Sequence, residues 1–338
     1  MIERYSDFSL LPYNTFGIDV KATRFVEFES EEELCEIVSE GIAAPTLVMG
    51  GGSNLLFLND FDGTVLHSKI CGAEVVVESE ENVFLRVGSG MKWDDLVKFT
   101  IEQGWQGLEN LSAIPGEVGA SAVQNIGAYG VEAGEFIERV DTISLADGSK
   151  HCFSQSDCQF GYRDSIFKHE AKGLYVVTYV TYRLRKKPEY KVTYGNLRQR
   201  VEQLGGLSPA NISQAVRETR ALKLPDPAEL GNAGSFFMNP VVERSLAAEL
   251  LEKYPEMPQY KADGGIKLSA AWLIEQCGWK GKRVGNVGAY AHQALVLVNY
   301  GGATGQEIIE LSDAISLAVK EKFSVQLHKE VNAISCEN

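Results

Sequence analysis

Residues 107–130, GLENLSAIPGEVGASAVQNIGAYG, constrain what this chain can fold into more than any other stretch. Glycine stands at 107, 116, 119, 127 and 130, small residues at Ala113, Ala120, Ser121, Ala122 and Ala128, and Glu117 is the only charge after Glu109. So little side chain cannot build a large core. It can bring backbone N–H groups close to a ligand, because glycine reaches left-handed conformations and leaves no Cβ in the way. Two readings stand: a tightly packed turn region, or a phosphate or cofactor cradle to which Gln124 and Asn125 add amide donors. The spacing favours the cradle.

A second candidate cradle lies upstream. Thr46–Met49 reads as a short buried strand that empties into Gly50-Gly51-Gly52-Ser53-Asn54. This is neither a P-loop, which ends in Gly-Lys-Ser/Thr, nor a G-x-G-x-x-G opening a helix. Leu55–Leu58 after it reads as more strand, so a tight hairpin competes equally with a phosphate loop.

At 338 residues the chain has material for two or three domains. Its 44% hydrophobic and 23% charged content fits a soluble globular protein. A net charge of −14 disfavours binding to nucleic acid or to an anionic membrane surface. The basic cluster Arg183–Lys187 reads as a solvated strand end. Six scattered cysteines (35, 71, 152, 158, 277, 336) without a C-x-x-C pair suggest reduced thiols and no metal site. The N-terminus is charged where a signal peptide is apolar, and no run approaches about 18 apolar residues. A cytoplasmic protein is the expectation.

Many short strands with interspersed helices argue for α+β. Extended segments are expected at 22–29, 64–67, 73–78, 83–88, 140–145, 174–184 and 294–298, and a closing strand around 325–334. Helices are expected from Ser30 as N-cap to about Glu40, at 93–103, 213–223, 242–253 and 269–276, and through about 306–323. Leu224-Pro225-Asp226-Pro227 marks the best domain boundary, since proline fixes φ and constrains its predecessor.

Single residues say less. Ser235, in Gly-Asn-Ala-Gly-Ser-Phe-Phe, lacks the G-x-S-x-G setting of a hydrolase nucleophile. It could cap a turn or donate a proton to carbon. Arg163, in Phe-Gly-Tyr-Arg-Asp-Ser, could hold a carboxylate or developing enolate in its fork, or simply pair with Asp164 or another acid. Glu330 reads as surface decoration. Tyr194, Arg220, Lys223 and Lys280 are candidates for an anionic ligand, each singly a surface residue; Asn239 and Gln293 read equally as turn or edge residues. Residue chemistry alone ends at a soluble enzyme with glycine-rich cofactor loops and an anionic small-molecule ligand.

Taken together, the blocks Asn14-Thr-Phe-Gly17, Gly50–Asn54, Ile114-Pro115-Gly116 with Gln124–Gly130, Phe160–Lys168, Lys223–Pro227 and Gly231–Phe237 resemble the UDP-N-acetylenolpyruvoylglucosamine reductase (MurB) family. The match runs from about residue 10 to Ile334. Their order and joint presence carry it. The resemblance implies an α+β chain with a non-covalent FAD-binding core of two subdomains, of the vanillyl-alcohol-oxidase/PCMH type, and a C-terminal α+β substrate domain. The implied boundaries are 1–70 with a returning strand 326–338, then 71–222, then 223–325.

By the same resemblance, NADPH is the reductant, the enolpyruvyl ether of UDP-N-acetylglucosamine is the substrate, and the chain is a monomer. Gly50, Gly51, Gly52, Ser53, Asn54, Ile114, Pro115, Gly116, Gly119, Ser121, Gln124, Asn125 and Gly127 are implied to bind FAD. Arg163 and Glu330 are implied to stabilise an enol-like intermediate, Glu330 as a protonated donor, and Ser235 to protonate carbon. Tyr194 falls on an extra loop, Tyr190–Leu197, that closes over the UDP-sugar in one form of the family. Tyr129, Arg220, Lys223, Asn239, Lys280 and Gln293 are implied around it. Gly51 and Ala120 depart from relatives, where an acid and a serine can occur. Two other readings are an oxidase of the same superfamily and a nucleotide-sugar-binding protein without catalysis. The first is disfavoured because neither cradle carries a histidine or cysteine for covalent FAD, the second by the joint presence of Arg163, Ser235 and Glu330.

Overall fold

The computed structural model describes residues 2–262 and 264–335. Cys336 and the end of the expected 326–338 segment lie outside the described residues, as does Met1 of the 1–70 segment. The chain divides into two compact units. One comprises Met1–Phe8, Ala22–Gly51 and Asp62–Arg220, the other Ser9–Lys21, Gly52–Phe61 and Ala221–Asn338. Residues 9–21 and 52–61 fall in the unit that holds the C-terminal part of the chain. They do so through backbone pairing: Asn232 N–H donates to the Thr15 carbonyl, Asn299 Nδ2 to that of Phe16, and Leu55–Phe57 runs parallel to Asn332–Ile334.

The first unit holds two sheets. In one the order is Glu3–Ser9, Lys21–Phe28, Phe61–Ser68, Thr46–Met49, the last pair parallel. Seven of the eight residues of Phe61–Ser68 are buried, as in a strand covered on both faces. The other is antiparallel, ordered Lys150–Ser154, Ile137–Ser144, Tyr175–Arg185, Asn82–Gly88, Ala73–Glu78. Between them lies the helix Glu31–Glu40, begun by Ser30, whose hydroxyl accepts from Glu33 N–H at 3.1 Å, and stopped at Gly41 with φ 86°. Its Leu34 and Ile37 pack on Phe28 and Leu66 of one sheet and Ile143 and Val176 of the other.

Across the antiparallel sheet, the helices Trp93–Glu102 and Val118–Gln124 bury Trp93, Leu96, Val97, Val118 and Ala122 against Leu85, Val87, Val180 and Tyr182. The middle of the glycine-rich stretch is thus a short packed helix. A Cβ on Gly119 would lie 2.9 Å from the Ser89 Cβ, so at that position the glycine serves close packing.

The second unit has a sheet ordered Gly231–Ser235, Val296–Asn299, Val287–Ala289, Arg283–Val284, and a three-stranded sheet of Val241–Val242, Gly265–Leu268 and Gln259–Ala262. Helices Arg244–Lys253, Ala270–Gln276 and Gly305–Phe323 accompany them. The expected closing strand over 325–334 is shorter: regular pairing covers only Asn332–Ile334. The reason is a change of partner. Residues 328–330 pair with 236–238, through Met238 N–H to His328 O and Glu330 N–H to Phe236 O; the chain then moves to Leu55–Phe57.

Candidate active site

In the first unit the two glycine-rich loops face one another. Gly51 would place a Cβ 4.0 Å from the Gly116 Cα, and a Cβ on Gly50 would meet the Glu117 carboxylate at 2.8 Å. Strand Thr46–Met49 delivers one loop; the other caps the helix Val118–Gln124, with Glu117 at its N-cap. The N–H groups of Gly51 and Gly116 make no hydrogen bond among the described residues. Backbone donors without internal partners, on loops without bulky side chains, fit the diphosphate of a dinucleotide. Gly52 continues the first loop into the second unit with φ 61°, and a Cβ there would sit 1.8 Å from the Tyr13 carbonyl oxygen. Only glycine fits.

Not every expected cofactor residue offers a donor. Asn125, with φ 44° at the helix C-cap, gives its Nδ2 hydrogens to Glu132 (2.9 Å) and the Gly161 carbonyl (2.7 Å), while Oδ1 accepts from Gly134 N–H and its own N–H donates to Ser121 O. Its amide ties three loops together and is spent. This corrects the expectation of a free donor. Ser121 is fully buried, donating to Val118 O and accepting from the Tyr182 hydroxyl at 2.6 Å, so its side chain also serves packing. Ile114 packs at the rim of the main core.

Arg163 sits in the left-handed region at φ 58°, uncommon for a side-chain-bearing residue. Its Nη2 donates to the Gly127 carbonyl and Nη1 lies 3.8 Å from Glu132. Asp164, the acid expected to compete for it, pairs with His169 instead, at 2.8 Å. Ser165 fixes this loop by donating to Val123 O at 2.6 Å, at the end of the glycine-rich helix. Arg163 is therefore held at the Gly127 carbonyl of the glycine-rich stretch.

A second cation joins it. Arg220 Nε donates to the Ala113 carbonyl at 3.2 Å, beside Ile114-Pro115-Gly116. Burial pulls its guanidinium below the ordinary range; Tyr129 and Asp94 pull the other way, and the like charge of Arg163 adds to the lowering. Tyr129 (φ 50°) packs edge-on to Tyr194 with ring centroids 5.8 Å apart, and burial raises its phenol, which stays a proton donor. Asn110, which sequence reasoning missed, donates to both Tyr129 O and Lys191 O and so ties the Tyr190–Leu197 loop to the glycine-rich stretch. Tyr194 itself is about half exposed at 51%.

Asp94 organises this corner and was also missed, because in sequence it reads only as an acid in a first helical turn. It binds Arg217 through two bonds of 2.8 and 2.7 Å and accepts from Ala113 N–H at 2.7 Å, holding Ala113 at φ 57°. Burial disfavours its charge, but Arg217, the Ala113 N–H and Lys98 prevail and hold the carboxyl at about 2. A lowered carboxyl adds stability above its unfolded value near 3.9, lost as pH falls toward about 2. Asp94→Asn is expected to cost about 1.5 kcal/mol at pH 7 after discounting for its partial exposure. The difference from the parent should shrink toward pH 2, as urea unfolding at both ends of that range would show.

In the second unit, Gly231–Ser235 pairs Gly231 with Asn299 and Asn232 with Val298, then slips so that Ser235 faces Val296. The bulge at Ala233-Gly234, with Gly234 at φ 69°, re-aims Ser235. Its hydroxyl has no hydrogen-bond partner among the described residues. The next residue, Phe236, accepts from Glu330 N–H at 2.8 Å, and Asn54 Nδ2 donates to the Glu330 carbonyl at 3.1 Å. Ser235, Glu330 and Asn54 are thus neighbours through the backbone, although far apart in sequence.

Other expected ligands are partly committed. Asn239 Oδ1 caps the helix Ala270–Gln276 (3.0 Å), leaving its Nδ2. Gln293 turns the chain into Val296–Asn299, its carbonyl accepting from Val296 N–H at 3.0 Å. Lys280 pairs with Glu275 at 2.9 Å. Lys223 is exposed at the end of helix Pro209–Lys223 and has no partner among the described residues. No cluster of three metal-ligating side chains occurs among the described residues, and no helix there is long and apolar enough to cross a membrane.

Both glycine loops lie within residues 22–152, which a model described as an FAD binding domain matches, and this places the chain among flavoproteins. A second model, described as the C-terminal domain of UDP-N-acetylenolpyruvoylglucosamine reductase, matches residues 226–334. Proteins with that name from Bacteroides fragilis (49% identity; 97% of this chain, 99% of that one) and Chromobacterium violaceum (45%; 96% and 97%) align along nearly the whole length. The crystal structure of the Thermus caldophilus reductase superposes with a TM-score of 0.69 at 25% identity over 99% of each chain. The chain belongs to the UDP-N-acetylenolpyruvoylglucosamine reductase family.

Proposed function

We infer that the chain reduces the enolpyruvyl ether of UDP-N-acetylglucosamine to UDP-N-acetylmuramate, with NADPH as reductant and non-covalent FAD as carrier, in cytoplasmic peptidoglycan precursor synthesis. FAD, when bound, would supply the hydride chemistry, with NADPH as reductant and the terminal methylene carbon of the substrate as acceptor. Gly50–Asn54 and Ile114–Gly116 would hold its diphosphate, largely by backbone N–H groups. Gly119, Ser121, Gln124, Asn125 and Gly127 would shape the loop behind them.

Addition at the methylene carbon puts negative charge on the neighbouring carbon and its carboxylate. Arg163 is assigned to hold that charge in its fork, and Glu330, protonated, to share it. Ser235 is assigned to deliver the proton to carbon. The observation that carries this reading is the Ser235 hydroxyl: aimed by a glycine bulge, without a competing acceptor, and one residue from the strand contact that places Glu330.

Two cations on the glycine-rich stretch, Arg163 at the Gly127 carbonyl and Arg220 at the Ala113 carbonyl, supply field for an anionic substrate. Tyr129, Tyr194, Arg220, Lys223, Asn239, Lys280 and Gln293 are assigned to the UDP-sugar, Tyr194 as the closing residue of its loop. We assign 1–70 with the returning segment from 326, and 71–222, to the FAD core, and 223–325 to substrate, in a monomeric chain. Incubation with NADPH and the enolpyruvyl UDP-sugar tests the activity by mass spectrometry. A product heavier by two hydrogens, formed in proportion to NADPH consumed, is expected; NADPH consumption without that product overturns it.

A further inference from the structure

An acidic side chain stands at the rim of the proposed diphosphate cradle. Glu117 meets Gly50 and Gly51, its Oε1 3.7 Å from where a Cβ on Gly51 would lie. A carboxylate there repels a diphosphate unless it is neutralised. His67 does this. At the end of Phe61–Ser68, directly beside Met49 in register, its Nε2 lies 3.1 Å from Glu117 and its Nδ1 2.7 Å from Glu27. All three side chains are nearly buried, with exposures of 9, 14 and 7%.

We propose that His67 is a positioning residue for FAD, its imidazolium pinning Glu117 against the Gly50–Gly51 loop and cancelling its charge toward the diphosphate. This rests on the FAD reading above. Burial opposes the charged imidazole, but hydrogen bonds and attraction from Glu117 and Glu27 outweigh it, so the ring keeps its proton above its ordinary value. The other charged groups facing the cluster are Lys69, 3.7 Å from Glu27, with Glu3 and Tyr5 from the first strand, and Glu29 and Cys71 nearby. Lys69 offsets Glu27, so loss of the His67 proton leaves Glu117 as the uncompensated charge. A raised histidine contributes fully below about 6.5, and its contribution is lost as pH climbs through the raised value.

The test is FAD dissociation from the flavin-loaded full-length protein, followed by flavin fluorescence on dilution between pH 6 and 9. The parent's Kd is expected to rise about tenfold or more across that range. His67→Asn should bind weakly already at pH 6 and respond little to pH. Glu117→Gln, which removes the charge and keeps the shape, should bind tightly with a flat profile. It decides the matter if the histidine variant fails to fold. A flat profile for the parent, or a Glu117→Gln profile as steep as the parent's, overturns the proposal. Failure to bind FAD at any pH would overturn the flavin reading with it.

Discussion

Replacing Ser235 with alanine is expected to lower turnover of the enolpyruvyl substrate by roughly two to four orders of magnitude, the usual worth of a positioned general acid. Reduction of bound FAD by NADPH should proceed at the parent rate. The structural cost should be small, because the hydroxyl has no internal hydrogen bond to lose and Gly234 keeps the bulge. A hydroxyl is a weak acid, so its effectiveness depends on where it is held. Ser235→Cys, which restores a donor at that position, should recover part of the loss. Rapid-mixing spectroscopy of the two half-reactions reads both outcomes; if both half-reactions ran unchanged in the alanine variant, the assignment would be wrong.

Arg163→Met should lower kcat/KM for the enolpyruvyl substrate by about a hundred- to a thousandfold, as for loss of one electrostatic contact to developing charge. Arg163→Lys should recover only part of that, because an ammonium cannot reproduce the planar fork. Some loss of stability is expected as well, since the bond to the Gly127 carbonyl disappears. Steady-state kinetics beside urea unfolding separate the two effects. An equal fall in the rate of flavin reduction by NADPH would place Arg163 in the cofactor site's architecture and not at the substrate.

Local signals in the chain were legible. Ser30 before three glutamates starts its helix, Gly41 stops it, and strands with apolar runs lie where their patterns put them. The two glycine loops stood out because backbone approach to a ligand needs that composition. Ties between distant side chains left no local trace. Asp94 and Arg217 are separated by 123 positions, and His67 and Glu117 by 50. Each looks like an ordinary surface or core residue until the fold brings it to its partner. Ser235 was visible by its flanking glycines, but the bulge that aims it depends on register with Val296–Asn299. Asn125 misled for a related reason: an amide beside a glycine loop reads as a ligand donor, and only the folded loops show that Glu132, Gly134 and Gly161 consume it.

The proposed reaction passes reducing equivalents from NADPH through one flavin to an enolpyruvyl UDP-sugar. Its most direct test is the anaerobic visible spectrum of the purified protein, followed through addition of NADPH and then of the sugar. A bound-flavin band should bleach with NADPH and return when the enolpyruvyl substrate is added. A band that never bleaches, or one that returns only when oxygen is admitted, would contradict that reaction.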